Sequence, residues 1–162
     1  MAQVIIALGS NLNDPHSQLQ TALEFLKELS ISSVQRSPIY RSEPVGPSEN
    51  EFLNAVVTIE TDLKPDKLFD GLKAQEKNQG RPSRYPKWTA RTLDLDIIAF
   101  DDLVIETDTL IIPHQEYKSR LFVLLPLKDV IPDWRDPVSA QHVDELIKQA
   151  PELDIVKTTL NW

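Results

Sequence analysis

The chain has 162 residues, is 41% hydrophobic and carries 17 basic against 25 acidic residues, a net charge of −8. That suits one domain over residues 1–162 that buries a core unaided, and it disfavours nucleic acid, whose non-specific binding needs many cations. The absence of cysteine excludes disulfides and thiolate metal sites. With no basic leader and no apolar run of spanning length, a cytoplasmic protein without a membrane partner is expected.

In chain order, residues 4–8 read as a first, buried strand. Asp14-Pro15 supplies an N-cap and a first-turn proline. Leu19, Ala22, Leu23 and Leu26 then recur at helical spacing, predicting an amphipathic helix to about Leu29. A second strand is expected over residues 31–40, a loop over 42–51 and a third strand over 52–60. A second helix is predicted from Pro65 to about Gln79, with Gly80 just past its end. Its inward face holds Phe69 and Leu72, with Glu76 one turn further on.

Residues 81–92 form a long segment without element character, and loops of that length are often functional. A fourth strand over residues 93–100 turns at Asp101-Asp102 into a short return strand near Val104 and Ile105. A helix after Pro113-His114 carries Arg120, Phe122 and Leu125 before Pro126. A last helix holds Val143, Leu146, Ile147 and Ala150. The order β-α-β-β-α-β with C-terminal additions predicts an α+β, ferredoxin-like fold, its helices packed on a mostly antiparallel sheet.

Chemistry concentrates in residues 81–96. Arg81, Arg84, Lys87 and Arg91 are four cations with no carboxylate among them, and Asp94 and Asp96 follow at strand spacing. Residues two apart in a strand face one side, with Cα atoms about 6.6 Å apart, and such a carboxylate pair can hold a hard cation. A solvated strand edge is the ordinary role of Asp-x-Asp. Here the strand continues Ile97, Ile98, Ala99, Phe100, a run typical of burial on both faces, where paired aspartates are costly without a cation. Cations beside a metal-binding pair suit phosphoryl transfer, because the transferring group is anionic. The basic segment is sized for one polyphosphate rather than a polymer.

The four glycines make neither G-x-G-x-x-G nor a P-loop, and His16, His114 and His142 are too dispersed for a zinc motif. Other blocks are specific. Gly9-Ser10-Asn11-Leu12, Tyr40-Arg41-Ser42-Glu43-Pro44-Val45-Gly46, Phe52-Leu53-Asn54-Ala55 and Gly80-Arg81 occur in order. Arg91-Thr92-Leu93-Asp94-Leu95-Asp96-Ile97 follows, then Pro113-His114, Arg120-Leu121-Phe122-Val123-Leu124 and Pro126-Leu127. Together, over about residues 4–130, they resemble the 6-hydroxymethyl-7,8-dihydropterin pyrophosphokinase family of folate biosynthesis.

The resemblance implies transfer of pyrophosphate from ATP to the pterin hydroxymethyl group, releasing AMP, by a monomer. It implies Asp94 and Asp96 as ligands of two Mg²⁺ ions, and Arg81 and Arg91 as the catalytic cations on the transferring group. Ser42, Pro44, Val45, Phe52, Asn54, Asp94 and Phe122 would form the pterin site, with the two phenylalanines sandwiching the ring and Asn54 bonding its edge. Glu76, Arg81, Arg84, Trp88, Arg91, Ile97, His114 and Arg120 would contact ATP. Residues around Trp88 would form a lid that excludes water.

Several positions depart from the family pattern. Phe52 stands where tyrosine is frequent, and Ser42 where threonine is usual. Ser83 and then Arg84 follow Arg81 where a basic residue commonly sits two places on. Ala90 replaces a proline before Arg91. Two other classes also accommodate parts of the pattern. A two-metal nucleotidyltransferase or phosphodiesterase gives no reason for Phe52, Asn54 and Phe122. A non-catalytic ferredoxin-like sensor gives none for a cationic loop beside two aspartates.

Overall fold

A nearly unbroken apolar stretch makes β1 (Ala2–Ser10) a strand covered on both faces, longer at each end than residues 4–8. The computed structural model describes residues 1–44, 50–80 and 92–162. Asp14 caps α1 (Pro15–Leu29), accepting from the Ser17 N–H at 3.4 Å and its hydroxyl at 2.9 Å. Leu19, Ala22, Leu23 and Leu26 are its buried stripe, as their spacing predicts.

The second strand is not one run over residues 31–40. It divides into β2 (Gln35–Arg36) and β3 (Tyr40–Ser42), both antiparallel to β4 (Phe52–Thr61). Pro38 has no N–H for the ladder. From Arg36 to Tyr40 the chain advances four residues while β4 advances three, from Val57 to Asn54, which is a bulge. Ser37 repairs the gap: its N–H donates to the Val56 carbonyl and its hydroxyl accepts the Val56 N–H, each at 2.9 Å.

In α2 (Pro65–Asn78) the buried face is Leu68, Leu72 and Glu76; Phe69, expected inward, is only partly buried. Gly80 follows with φ 105°, a conformation that favours glycine. β5 (Asp94–Phe100) pairs with β1. The expected return strand is instead half of a separate hairpin, β6 (Ile105–Glu106) with β7 (Ile111–Ile112). After a 3-10 turn at Tyr117–Ser119 comes α3 (Leu121–Val130). Pro126 lies inside this helix rather than ending it. It forfeits one helical bond, to the Phe122 carbonyl, while Val123, Leu124, Pro126 and Leu127 bury the helix face. Then follow α4 (Val143–Gln149) and β8 (Ile155–Lys157), a strand the sequence pattern does not announce.

The sheet order is β5-β1-β4-β3-β8, with β2 also on β4, and each of these pairs is antiparallel. Its first four strands, with α1 and α2, make the ferredoxin-like α+β plan. α1 and α2 cover one face, over Val4, Ile6, Leu8, Val57 and Leu95. α3 and α4 cover the other, over Ile5, Ala7, Val56 and Ile98.

Candidate active site

Register builds the site. β1 lies between β4 and β5, and sets Gly9 opposite Asn54 on one side and Asp94 on the other. Ala7 stands in the same way between Val56 and Asp96. Side chains alternate between faces, so Asn54, Asp94 and Asp96 share the face of Val56 and Ile98. That face is apolar beneath α3 and α4 and becomes polar at one end. Gly9 brings no side chain there; a Cβ would lie 3.5 Å from Asn54 Oδ1. A floor therefore opens between an amide and two carboxylates.

On the β3 side, Asn54 is buried and its Nδ2 donates to Ser42 Oγ at 2.7 Å. The ladder places Ser42 opposite Phe52, so three expected pterin contacts stand on neighbouring strands. Pro44 lies two residues beyond Ser42. Phe122, in the first turn of α3, is partly buried against the second core, with the Arg120 guanidinium carbon 5.6 Å from its ring centre. Arg120 in turn donates from Nη2 to Glu116 Oε2 at 2.6 Å.

On the β5 side, Glu76 closes the free edge of the strand. Its Oε2 accepts the Leu95 N–H at 2.7 Å and Lys73 Nζ at 3.2 Å, while Lys73 also donates to the Leu95 carbonyl at 3.2 Å. Both Leu95 backbone groups thus find partners on a helix, as an unpaired edge requires. Lys73 Nζ also lies 3.8 Å from Asp96 Oδ1 and 5.4 Å from the Phe69 ring centre. A cleft of about 270 Å³ opens here, lined by Phe69, Lys73, Asp96, Ile97, the hairpin residues Thr107 to Ile111, and His114. The Ile97 side chain is buried largely on the opposite face, in the α1/α2 core.

His114 ties the cleft to both strand and helix. Its N–H donates to the Ile98 carbonyl at 3.0 Å, and its Nδ1 accepts the Glu116 N–H at 3.2 Å. Burial lowers its pKa, Arg120 and Lys73 lower it further, and Asp96 and Glu116 oppose them. A neutral imidazole at neutral pH follows. Lys73 and the hairpin are the residues that sequence reasoning missed. The available signal was the Lys73–Glu76 spacing of one helical turn.

Among the described residues no group of three or more His, Asp or Glu is arranged to hold a metal. Asp94 and Asp96 alone give two carboxylates on one face, and Mg²⁺ commonly takes one or two from protein and the rest from phosphate and water. The donor set fits that ion. Val45, Arg81, Arg84, Trp88 and Arg91 lie outside the described residues. The flanks of the basic segment nevertheless meet beside the floor: a Cβ on Gly80 would lie 3.7 Å from the Thr92 side chain. The Thr92 carbonyl accepts Ser10 Oγ at 2.5 Å.

The family described as 7,8-dihydro-6-hydroxymethylpterin-pyrophosphokinase matches residues 5–132. The chain is 42% identical to the 2-amino-4-hydroxy-6-hydroxymethyldihydropteridine pyrophosphokinase of Haemophilus influenzae, over 97% of this chain and 98% of that one. Against the protein of the same name from Pseudomonas aeruginosa it is also 42% identical, over 92% of each. Among solved structures it resembles an HPPK-DHPS in complex with substrates, with TM-score 0.71 at 13% identity, a likeness of fold. That match covers 91% of this chain, which spans 43% of the solved one.

Proposed function

The chain belongs to the 7,8-dihydro-6-hydroxymethylpterin-pyrophosphokinase family, and on that premise we propose that it transfers pyrophosphate from ATP to 6-hydroxymethyl-7,8-dihydropterin in folate synthesis. The pterin hydroxymethyl oxygen bonds to the β-phosphorus as its hydroxyl proton passes to solvent. The bond from that phosphorus to the oxygen bridging it to the α-phosphate breaks, and AMP leaves.

The polar end of the sheet face carries this assignment, because it sets a buried amide and two carboxylates around the side-chain-free floor at Gly9. A flat heterocycle with a donor-acceptor edge is met by the Asn54 amide, itself oriented by Ser42, and by the apolar bodies of Phe52 and Phe122. The nucleotide takes the cleft on the other side of Asp96, where Phe69 and the hairpin offer apolar walls and His114 and Lys73 polar ends. The reacting groups of both substrates then converge over Asp94 and Asp96.

Asp94 and Asp96 are the side chains that would hold two Mg²⁺ ions with ATP; such ions neutralise phosphate charge and align an in-line displacement. Arg81 and Arg91 act as the permanently charged donors on the transferring group, with Arg84 and Trp88 in the same segment. The meeting of Gly80 and Thr92 beside the floor supports a role for these cations at the phosphates. Arg120 steadies Phe122 while its charge also acts on His114 of the cleft. A cytoplasmic monomer completes the proposal; among the described residues no helix is long and apolar enough to cross a membrane.

The test is nucleotide product analysis with Mg-ATP and the pterin. AMP formed only with pterin, in step with pterin diphosphate, is the expected result. ADP would mean an ordinary kinase, pterin-independent AMP a hydrolysis, pyrophosphate released without AMP a nucleotidyl transfer, and no turnover a binding domain. Sedimentation at assay concentration checks the monomer.

A further inference from the structure

Tyr40 stands in a motif whose neighbours line the pterin side, yet the chemistry above gives it no role. Its ring is buried in β3, opposite Asn54 and two residues before Ser42, so all three share one face. Its hydroxyl donates to Asp129 Oδ2 in the last turn of α3. Asp129 lies two helical turns beyond Phe122, on the same side of that helix. β8 supplies the third member: Lys157 is opposite Tyr40 in the ladder, with Nζ 3.4 Å from Asp129 Oδ1 and 5.7 Å from the Tyr40 ring centre. Burial and the Asp129 carboxylate both push the phenol above its ordinary value, so the O–H stays available to donate.

We propose that the Tyr40–Asp129 hydrogen bond, backed by Lys157, is a strut that sets the separation of α3 from the β3 side of the sheet, and so the width of the slot between Phe122 and the Ser42–Asn54 pair. Tyr40 is thus a positioning residue for the pterin, a role that depends on the slot being the pterin site. The physical reason is the steepness of packing attraction. A gap of about 0.5–1 Å forfeits roughly a quarter to a half of a dispersion contact, and a flat ring held between two walls feels that loss over its whole area. The strut also explains what the C-terminal strand contributes: β8 lies beyond the family match at residues 5–132, yet holds the outer side of β3.

The experiment titrates 6-hydroxymethyl-7,8-dihydropterin into wild type, Tyr40→Phe, Asp129→Asn and Asp129→Ala, each with Mg²⁺ and a non-hydrolysable ATP analogue, and titrates the analogue separately. Tyr40→Phe keeps the ring and removes only the hydroxyl. Its pterin Kd is expected to rise about tenfold while the analogue Kd holds within about twofold. Asp129→Asn retains an acceptor oxygen and should bind pterin like wild type; Asp129→Ala, at a part-exposed position, should match Tyr40→Phe. An unchanged pterin Kd in Tyr40→Phe and Asp129→Ala overturns the strut, as do equal losses for both ligands or an Asn variant as weak as Ala. If the wild-type chain binds no pterin, the functional reading itself falls and the strut with it.

Discussion

Replacing Glu76 with alanine removes the carboxylate that closes the edge of β5, and the cost can be built from its contacts. Glu76 is 2% exposed, and its Oε2 accepts both the Leu95 N–H and Lys73. Leaving the Leu95 donor buried and unmet costs about 1–3 kcal/mol. The Lys73 side chain is 34% exposed, so screening holds that pair to about 0.5–1 kcal/mol. These two contacts together give about 1.5–4 kcal/mol, and a loss of about 3 kcal/mol lowers the melting temperature of a domain this size by about 6–12 °C. Glu76→Gln keeps an acceptor oxygen for Leu95 and surrenders only charge, at about 1 kcal/mol. Urea unfolding at pH 7 followed by circular dichroism measures both variants. An alanine variant within about 0.5 kcal/mol of wild type, or a glutamine variant as damaged as alanine, refutes the edge-closing role.

Asp96→Asn is expected to abolish Mg²⁺-dependent turnover while leaving the far-ultraviolet spectrum unchanged; full activity would remove Asp96 from the metal site. Asn54→Ala should weaken pterin about tenfold or more and leave ATP-analogue affinity nearly alone, and the reverse pattern in calorimetry would mean the two substrate sites are interchanged. A third expectation concerns acid. Burial alone would raise the Asp136 carboxyl, but the Tyr117 hydroxyl, the Ser139 and Val138 N–H groups and Lys118 outweigh it and hold the carboxyl below its ordinary value. A carboxylate held down in the folded state stabilises above the unfolded value, near about 4, and that stability drains as pH falls through the folded value. Asp136→Asn should therefore flatten the acid limb of the urea midpoint against pH, and a limb as steep as that of wild type would contradict this.

Several members of the candidate site can be picked out from the sequence. Asp94 and Asp96 stand out because charge is expensive inside an apolar strand, and the register explains how it is tolerated: they occupy the end of the face that α3 and α4 leave to polar groups. Lys73 was not readable. A lysine one turn from a glutamate is ordinary on any helix, and only the packing of α2 against the edge of β5 turns that pair inward. The break at Pro38 could have been foreseen from its missing N–H, but the bulge that resets the register to Asn54 could not, because Ser37 heals the ladder through a partner on another strand.

Local pattern by itself located the helices and the central strands in order, because periodicity and caps act over a few residues, but it did not set the end of α3, which runs through Pro126. It also determined which residue types could bind phosphate, metal and a flat ring. Tertiary structure alone decided which of them meet. Pairing β1 with both β4 and β5 sets Gly9 between Asn54 and Asp94, and the fold brings Tyr40 to Asp129, separated by 89 residues. Those juxtapositions depend on sheet register and helix docking, which are set by the whole core at once and leave no mark at any one position in the chain.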